Sequence, residues 1–449
     1  MKRILIGGTH SGCGKTTVTC AVLQALCRRK MKAASFKCGP DYIDPLFHEK
    51  IIGTASYNLD SFFCDDNTLK YLLYENGKDA DIAVIEGVMG FYDGAGKRGS
   101  ANSVSQITGT KAVVVIDCKG MSGSIGAVMK GFLEFEENNI AGFIFNRLPE
   151  KLVPMAMELC DRLGTEYFGY LPVNRSVIKS RHLGLVTADE ISDLREKMQL
   201  LAELAEEHIL LDRIIELSDT GYPGFEPPVI KKQSFSREPV IAVSKDKAFC
   251  FLYQDNIKLL KELGCEIRYF SPLSDSVVPE ADGLILCGGY PELYGGQLEA
   301  NQSMLYDIYR KIKDGIPVIA ECGGFMYLHD ELEDENGNIR KLVGAVKGRA
   351  YRTERLQRFG YVTLTALSDN LLCYKDESFK AHEFHYWDST DCGSGFNAEK
   401  SDGRQWSCGH TGSSFYAGFP HLYFYSDIKT AEKFVSECAV YGGIHEQNR

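Results

Sequence analysis

From residue 1 to about 215 the chain alternates short apolar runs with amphipathic stretches. Runs at 4–6, 33–37, 82–86, 112–117, 142–146 and 167–171 each end at a glycine or a polar residue, and stretches with helical spacing, such as 18–28, 67–75 and 125–137, separate them. Runs this short and this apolar read as strands buried on both faces. The pattern therefore predicts an α/β unit, a doubly wound and mostly parallel sheet with helices on either side. Ligands of such sheets bind beyond the carboxyl ends of the strands. That edge holds Lys37, Glu86, Asp117 and Asn146.

A strongly helical stretch at 190–217 closes this first unit. Four prolines and two glycines fall between 221 and 239, too many for a helix, so 218–239 reads as a linker. The alternation resumes at 240. Strands are expected at 240–244, 266–270, 283–287 and 318–321, helices at 255–263 and 298–313, and antiparallel strands in the aromatic, turn-rich part from 343 to 418. The predicted domains are 1–217 and 240–449, the second a further α/β unit.

A length of 449 residues exceeds one ordinary core and agrees with more than one domain. No apolar run approaches the roughly 18 residues that span a bilayer, and the apolar start at 4–6 is too short for a signal peptide; no membrane partner is expected. A net charge of −11 argues against a general nucleic-acid binder. The fifteen cysteines are scattered without a C-x-x-C pair. Cys13, Cys20, Cys27, Cys118 and Cys287 stand in or beside apolar runs, as small buried hydrophobes do. A disulfide framework is not expected, and the composition fits a reducing cytoplasm.

Residues 7–17 read GGTHSGCGKTT, between the first strand and the first helix. Gly8, Gly12 and Gly14 let the backbone turn tightly enough to point N–H groups at phosphate oxygens. Lys15 supplies a point charge to the phosphates. Thr16 offers a hydroxyl to Mg²⁺, and with Thr17 it opens a helix whose N-terminus is positive. Five residues, not four, separate Gly8 from Gly14. The spacing is a variant of the nucleotide-binding loop, and it implies a nucleoside triphosphate such as ATP. In KCGPDYIDP, Lys37 follows the second strand, and Asp41 and Asp44 are hard oxygen ligands near the phosphate site; aspartate beside proline also favours turns. Glu86 ends an apolar strand, where a charge is costly unless it meets a cation; a magnesium or catalytic role is expected. Asn146 ends another strand and is placed to hydrogen-bond an adenine or to cap its loop.

The second motif is PVIAECGGFMYL at 317–328. A strand runs straight into Cys322, then two glycines, then a helix, as in a nucleophile elbow. The helix N-terminus is expected to favour the thiolate. A strand at 284–287 ends in Gly288 and Gly289, whose N–H groups suit an oxyanion. His421, in GFPHLYF, is a candidate base for the thiol. His382 and His385 compete for that role, and spacing does not choose among the three.

Taken in order, GTHSGCGKTT, KCGPDYIDP, VIEGVMGFYDG, DCKGMSGS, SRHLGLV, CGGYPE, AECGG and the late His421-Leu-Tyr-Phe resemble the cobyrinic acid a,c-diamide synthase family over nearly the whole chain. The first domain is similar to dethiobiotin synthetase, with the same extra loop residue, and the second resembles a class I glutamine amidotransferase. The resemblance implies activation of a corrinoid or related tetrapyrrole carboxylate by ATP as an acyl phosphate. It also implies L-glutamine hydrolysis by Cys322 and His421 with an oxyanion site at Gly288 and Gly289, and amidation by the released ammonia. Nucleotide contacts are implied at Gly12, Gly14, Lys15, Thr16, Thr17, Lys37 and Asn146, and Mg²⁺ contacts at Thr16, Asp41 and Glu86. A homodimer is compatible with it. The acid that usually follows the histidine by two residues is replaced by Tyr423, and Asn146-Arg-Leu-Pro-Glu departs from the usual continuation. The alternatives are a sister amidase acting on hydrogenobyrinic acid, Ni-sirohydrochlorin or a later cobyric acid intermediate, and, in another class, a partition or switch ATPase. Such an ATPase usually carries an early loop lysine, which Thr9–Ser11 lacks.

Overall fold

A computed structural model describes residues 1–173, 188–232, 235 and 237–447. The chain divides into two compact units, Met1–Pro228 and Val229–Arg449. The SRHLGLV run at 180–186 lies outside the described residues.

The first unit is built on seven parallel strands: β1 (Arg3–Gly8), β2 (Ala33–Cys38), β3 (Ser56–Leu59), β4 (Ile82–Glu86), β5 (Ala112–Asp117), β6 (Ile140–Asn146) and β7 (Glu166–Leu171), in spatial order β3-β2-β4-β1-β5-β6-β7. Its helices are α1 (Lys15–Arg28), α2 (Ile43–Phe47), α3 (Asp66–Gly77), α4 (Ala101–Thr108), α5 (Ser124–Glu134), α6 (Val153–Leu163), α7 (Ala188–His208) and α8 (Leu211–Leu217). The fully buried Ile4, Ile6, Val84, Val113 and Val115 of the strands meet Val18, Val22 and Leu26 of α1, which in turn packs against Met198, Leu201 and Ala205 of α7. This is the sandwich that the apolar runs predict.

Two details differ from the sequence reading. The edge strand β3 carries no long apolar run and was not expected. The single helix expected at 190–217 breaks at Ile209–Leu210, because that segment adds to the edge of β7: Leu210 N–H donates to the Phe168 carbonyl at 3.0 Å. The approach needs Gly169, where a Cβ would lie 2.2 Å from the His208 carbonyl oxygen. The start of the linker segment is also tied down. Arg3, 2% exposed, donates from Nη1 to Gly221 O at 2.6 Å, from Nη2 to Thr108 O at 2.9 Å and from Nε to Thr110 Oγ1 at 3.1 Å. Tyr222 and Phe225 pack on Tyr74.

The second unit has a central sheet of β8 (Val240–Ser244), β10 (Glu266–Phe270), β11 (Gly283–Leu286), β13 (Val318–Glu321), β20 (His410–Gly412) and β21 (Phe415–Gly418), in order β10-β8-β11-β13-β21-β20. Only β20 runs antiparallel. The short β9 (Phe249–Phe251) pairs with β12 (Gly288–Gly289). A further sheet contains β14 (His329–Glu333), β15 (Ile339–Lys341), the long antiparallel hairpin of β16 (Val346–Ala366) and β17 (Ser378–Ser389), then β18 (Phe396–Glu399), β19 (Gln405–Cys408) and β22 (His421–Leu422). The helices are α9 (Gln254–Glu262), α10 (Gly295–Ala300), α11 (Gln302–Lys313), α12 (Gly323–Tyr327) and α13 (Ile428–Gln447).

The antiparallel expectation for 343–418 holds for the pairings of β16 with β17 and β18, of β18 with β19 and of β20 with β21, whereas β16 runs parallel to β14 and β21 parallel to β13. The helix expected at 298–313 is two helices, broken at Asn301, whose amide donates to the carbonyls of Pro272 and Asp275. Among the described residues no helix is long and apolar enough to cross a membrane.

Candidate functional site

In the first unit, the chain leaves β1 through a loop in which Gly12 and Gly14 hold φ of 84° and 101°. Side chains other than glycine rarely adopt these values. Gly8 is needed for another reason: a Cβ there would meet the Lys15 stem at 2.4 Å. Lys15 is buried and donates to the His10 carbonyl at 3.1 Å, which folds its ammonium back over the loop. Burial lowers its affinity for the proton. Thr17 follows in the first turn of α1. Asn146, from the end of β6, donates through Nδ2 to the Cys13 carbonyl at 2.9 Å. Its amide ties the loop from beneath, and a Cβ on Gly14 would collide with it at 2.1 Å.

Beside this loop lies a buried charged cluster. Glu86 is fully buried, and its Oε1 accepts from Thr16 Oγ1 at 2.6 Å and from Lys37 Nζ at 2.9 Å. Lys37 is its register neighbour on β2 and also pairs with Asp44 at 2.5 Å. His48 Nε2 stands 3.4 Å from Glu86 Oε2, with its Nδ1 on the Ser35 hydroxyl at 2.7 Å. Burial opposes ionisation of Glu86, but Lys37, His48 and Thr16 outweigh it and hold the carboxyl below its usual range. Burial works against Lys37 too; Asp44 and Glu86 reverse it and raise the ammonium's hold on its proton. Asp44 is pushed up by burial and by Glu86 despite the lysine.

The sequence pairs Asp41 and Asp44, and the structure separates them. Asp41 Oδ1 accepts from the Ile43 and Asp44 N–H groups at 2.8 and 3.3 Å, shaping the turn into α2, while Asp44 joins the charged cluster. Thr16 and Glu86 together present hard oxygen donors that fit Mg²⁺. No group of three or more His, Cys, Asp or Glu that could hold a metal ion exists among the described residues. Nucleotide oxygens and water would have to fill the remaining positions, as is usual for Mg²⁺ on a triphosphate.

In the second unit, β13 ends at Glu321, and Cys322 takes φ 45°, ψ −101° before α12. A non-glycine residue here is strained, and such strain is characteristic of active sites. The turn is tight. A Cβ on Gly324 would lie 2.1 Å from the Leu286 carbonyl oxygen, and one on Gly323 would lie 2.8 Å from the Gly289 nitrogen. The Gly288–Gly289 backbone therefore borders the turn that carries Cys322. His421 packs on the same glycines, because a Cβ on Gly288 would lie 2.4 Å from its Cε1.

The three histidines now separate. Both ring nitrogens of His385 are occupied: Nε2 by Glu383 at 2.9 Å, Nδ1 by the Trp387 carbonyl at 2.5 Å, and the ring stacks on Phe419 at 3.9 Å. His382 is buried between the rings of Phe359 and Tyr361 and is pushed down to about 3 by burial, with His421 and Lys400 adding to it. His421 alone of the three lies against the glycine pair, in register with His382 across β17 and β22.

A carboxylate stands by His421 that the sequence reading did not single out. Glu321 Oε2 lies 3.6 Å from His421 Nδ1, an ion-pair separation rather than a hydrogen bond. Its Oε1 accepts from the Leu422 N–H at 3.3 Å. Both residues are buried. Tyr423, where the related enzymes usually have an acid, instead donates to Asp255 at 2.9 Å. The expectation of a ready thiolate does not hold. Burial, followed by Glu292, Glu383 and Glu321, holds the Cys322 thiol well above its usual range, against a lowering contribution from the Gly323 N–H.

Two family profiles match the chain. Residues 4–186 match the CobQ/CobB/MinD/ParA nucleotide binding domain, and residues 240–427 match the CobB/CobQ-like glutamine amidotransferase domain. Curated relatives span both units. "Cobyrinate a,c-diamide synthase" from Listeria monocytogenes is 39% identical over 444 residues, covering 95% of this chain and 97% of its own. The protein of that name from Listeria innocua is 39% identical over 443 residues, with coverage of 95% and 97%. That from Caldanaerobacter subterraneus subsp. tengcongensis is 36% identical over 453 residues, with 98% of each chain covered. A phosphate-binding loop on one sheet and a strained cysteine beside a histidine on the other thus occur in a chain that matches these relatives almost end to end, and the chain belongs to the cobyrinate a,c-diamide synthase family of glutamine-hydrolysing ligases.

Proposed function

We propose that this enzyme uses ATP and L-glutamine to convert the a and c carboxylates of cobyrinate to amides. The observation that carries the reading is the grouping of the strained Cys322, the Gly288–Gly289 backbone and the His421–Glu321 pair in one unit, beside a unit with a lysine-bearing phosphate loop. One unit activates oxygen and the other supplies nitrogen.

In the first unit, a substrate carboxylate oxygen attacks the γ-phosphorus of ATP and ADP leaves, giving an acyl phosphate. Lys15 and Lys37 offset the charge of the transferring group. Mg²⁺, held by Thr16 and Glu86, would supply further charge neutralisation on the phosphates. Ammonia then attacks the acyl carbon, phosphate leaves, and an amide remains.

In the second unit, His421 takes the proton of the buried Cys322 thiol as sulfur attacks the glutamine side-chain amide. A base is needed here because burial disfavours the free thiolate. The tetrahedral oxyanion forms against Gly288 and Gly289. Its collapse expels ammonia, which carries away the proton, and water cleaves the thioester to glutamate. Glu321 is the positioning residue: it orients His421 and stabilises the imidazolium that forms.

The test of substrate is incubation of purified protein with ATP, Mg²⁺ and glutamine against cobyrinic acid, hydrogenobyrinic acid and Ni-sirohydrochlorin, with mass spectrometry of the products. Two amide additions to cobyrinic acid are expected. Amidation only of another tetrapyrrole would reassign the substrate, and ATP turnover without amidation of any would reject the ligase reading.

Glu321→Gln tests the positioning role. The amide keeps an acceptor for the Leu422 N–H but loses the charge. The kcat for glutamine hydrolysis is expected to fall roughly 10²-fold, with KM little changed. Glu321→Asp, which restores the charge, is expected to recover part of the lost rate. A lower kcat that Glu321→Asp does not recover at all would make Glu321 merely structural.

A further inference from the structure

Glu292 is 7% exposed, and among the described residues no hydrogen bond or ion pair joins its carboxylate to another side chain. Its carboxylate accepts from its own backbone N–H, and its carbonyl accepts from the Glu335 N–H at 3.2 Å. The residue sits on the turn Pro291–Leu293, directly after Gly288, Gly289 and Tyr290. That turn abuts the nucleophile's own: the Pro291 ring lies 2.9 Å from where a Cβ on Gly323 would be. Among charged groups Glu292 acts most strongly on the Cys322 thiol.

A carboxylate so placed is costly unless it gains a cation. The neighbouring Arg352 does not form an ion pair with it. That guanidinium is exposed, reaches the Glu335 carbonyl at 3.4 Å and lies over the Trp387 ring. Burial accordingly pushes the Glu292 carboxyl up to about 8. The missing positive charge is one that the second unit's substrate brings with it, because L-glutamine carries an ammonium on its α-carbon, remote from the amide that reacts.

We infer that Glu292 is the counter-ion of the α-ammonium of bound glutamine, and thereby the residue that selects an α-amino acid amide over other primary amides. The inference rests on the glutaminase reading of the second unit. It assigns specificity to a residue that neither attacks the amide nor moves a proton in the reaction. The binding energy is collected at the far end of the substrate and fixes the amide carbon over the sulfur.

The test compares two substrates on the intact protein: glutamine, and glutaric acid monoamide, which is glutamine without its α-amino group. Ammonia release is measured for the wild type and for Glu292→Gln, whose side chain keeps the shape and loses the charge. The wild type is expected to prefer glutamine by about 100-fold in kcat/KM. In E292Q the KM for glutamine should rise by a similar factor, and the preference should shrink to within about tenfold. Thermal unfolding checks that the variant folds; a misfolded E292Q leaves the decision to the wild-type comparison, in which equal use of the two amides overturns the assignment. A variant that folds and keeps the wild-type KM and preference also overturns it. So does a fall in kcat on both substrates with unchanged KM, which would place Glu292 in the chemistry of Cys322. A wild type that releases no ammonia from glutamine would reject the glutaminase reading itself, and this assignment with it.

Discussion

Cys322→Ala is expected to abolish amidation from glutamine while leaving amidation from a high concentration of ammonium salt intact. Removing the sulfur removes the only atom that forms the glutamyl thioester in the proposed reaction, whereas free ammonia reaches the acyl phosphate without it. The substitution creates no new backbone strain: alanine at φ 45° is no worse placed than cysteine, and a buried thiol surrounded by Glu292, Glu383 and Glu321 is lost. A folded variant is therefore expected. His421→Ala should show the same asymmetry, with a loss of roughly 10²–10⁴-fold on glutamine. His385→Ala should act differently, because that ring braces Phe419 and Glu383 rather than the glycine pair, and it should lower thermal stability first. The measurement is product formed with each nitrogen source for each variant. Retained glutamine-dependent activity in Cys322→Ala would end the amidotransferase assignment of the second unit. A glutamine-specific loss in His385→Ala with none in His421→Ala would move the base.

Lys15→Ala should eliminate product from either nitrogen source, a loss of roughly 10²–10³-fold or more. Among the described residues its ammonium hydrogen-bonds only the His10 carbonyl, so the fold gives up little. Lys37→Ala offers the informative contrast. That lysine stands between the half-buried Asp44 and the buried Glu86, and its removal leaves carboxylates without their cation. The expected cost is about 3–5 kcal/mol, a fall of roughly 10 °C in the unfolding midpoint. The two lysines thus separate on one pair of assays. Lys15→Ala is stable and inactive, while Lys37→Ala is both inactive and destabilised. Equal thermal midpoints for the two variants would show that the charged cluster does not contribute to stability as the geometry implies.

The fold was legible where chemistry and pattern coincide in a few adjacent residues. Apolar runs ending at Gly8, Lys37, Glu86 and Asn146 mark both the strands and the edge that carries the phosphate loop. A buried charge closing such a run announces that it has a partner, and Glu86 has three. The same signal stands at Glu321, where Val318-Ile319-Ala320 ends in a carboxylate, but the neighbouring cysteine draws attention from it. The partner of Glu321 is a hundred residues away in sequence, and the pairing of β13 with β21, which sets Glu321 opposite Gly418, brings His421 to it. The choice among three histidines was illegible for the same reason. So was the division of labour between Asp41 and Asp44, which depends on which carboxylate the α2 turn consumes. The break at Ile209 depends on an edge of β7 that no helical periodicity records.

The clasp at Arg3 has a bearing on how the protein is made. This guanidinium belongs to the strand at the middle of the first sheet, and burial weakens its hold on its proton. One of its acceptors, Gly221, is supplied 218 residues later. A first unit made without this segment would hold a desolvated cation short of one of its acceptors. A nascent chain arrested before residue 218 should be cut readily by protease, and one arrested after enough of the following segment has emerged should resist.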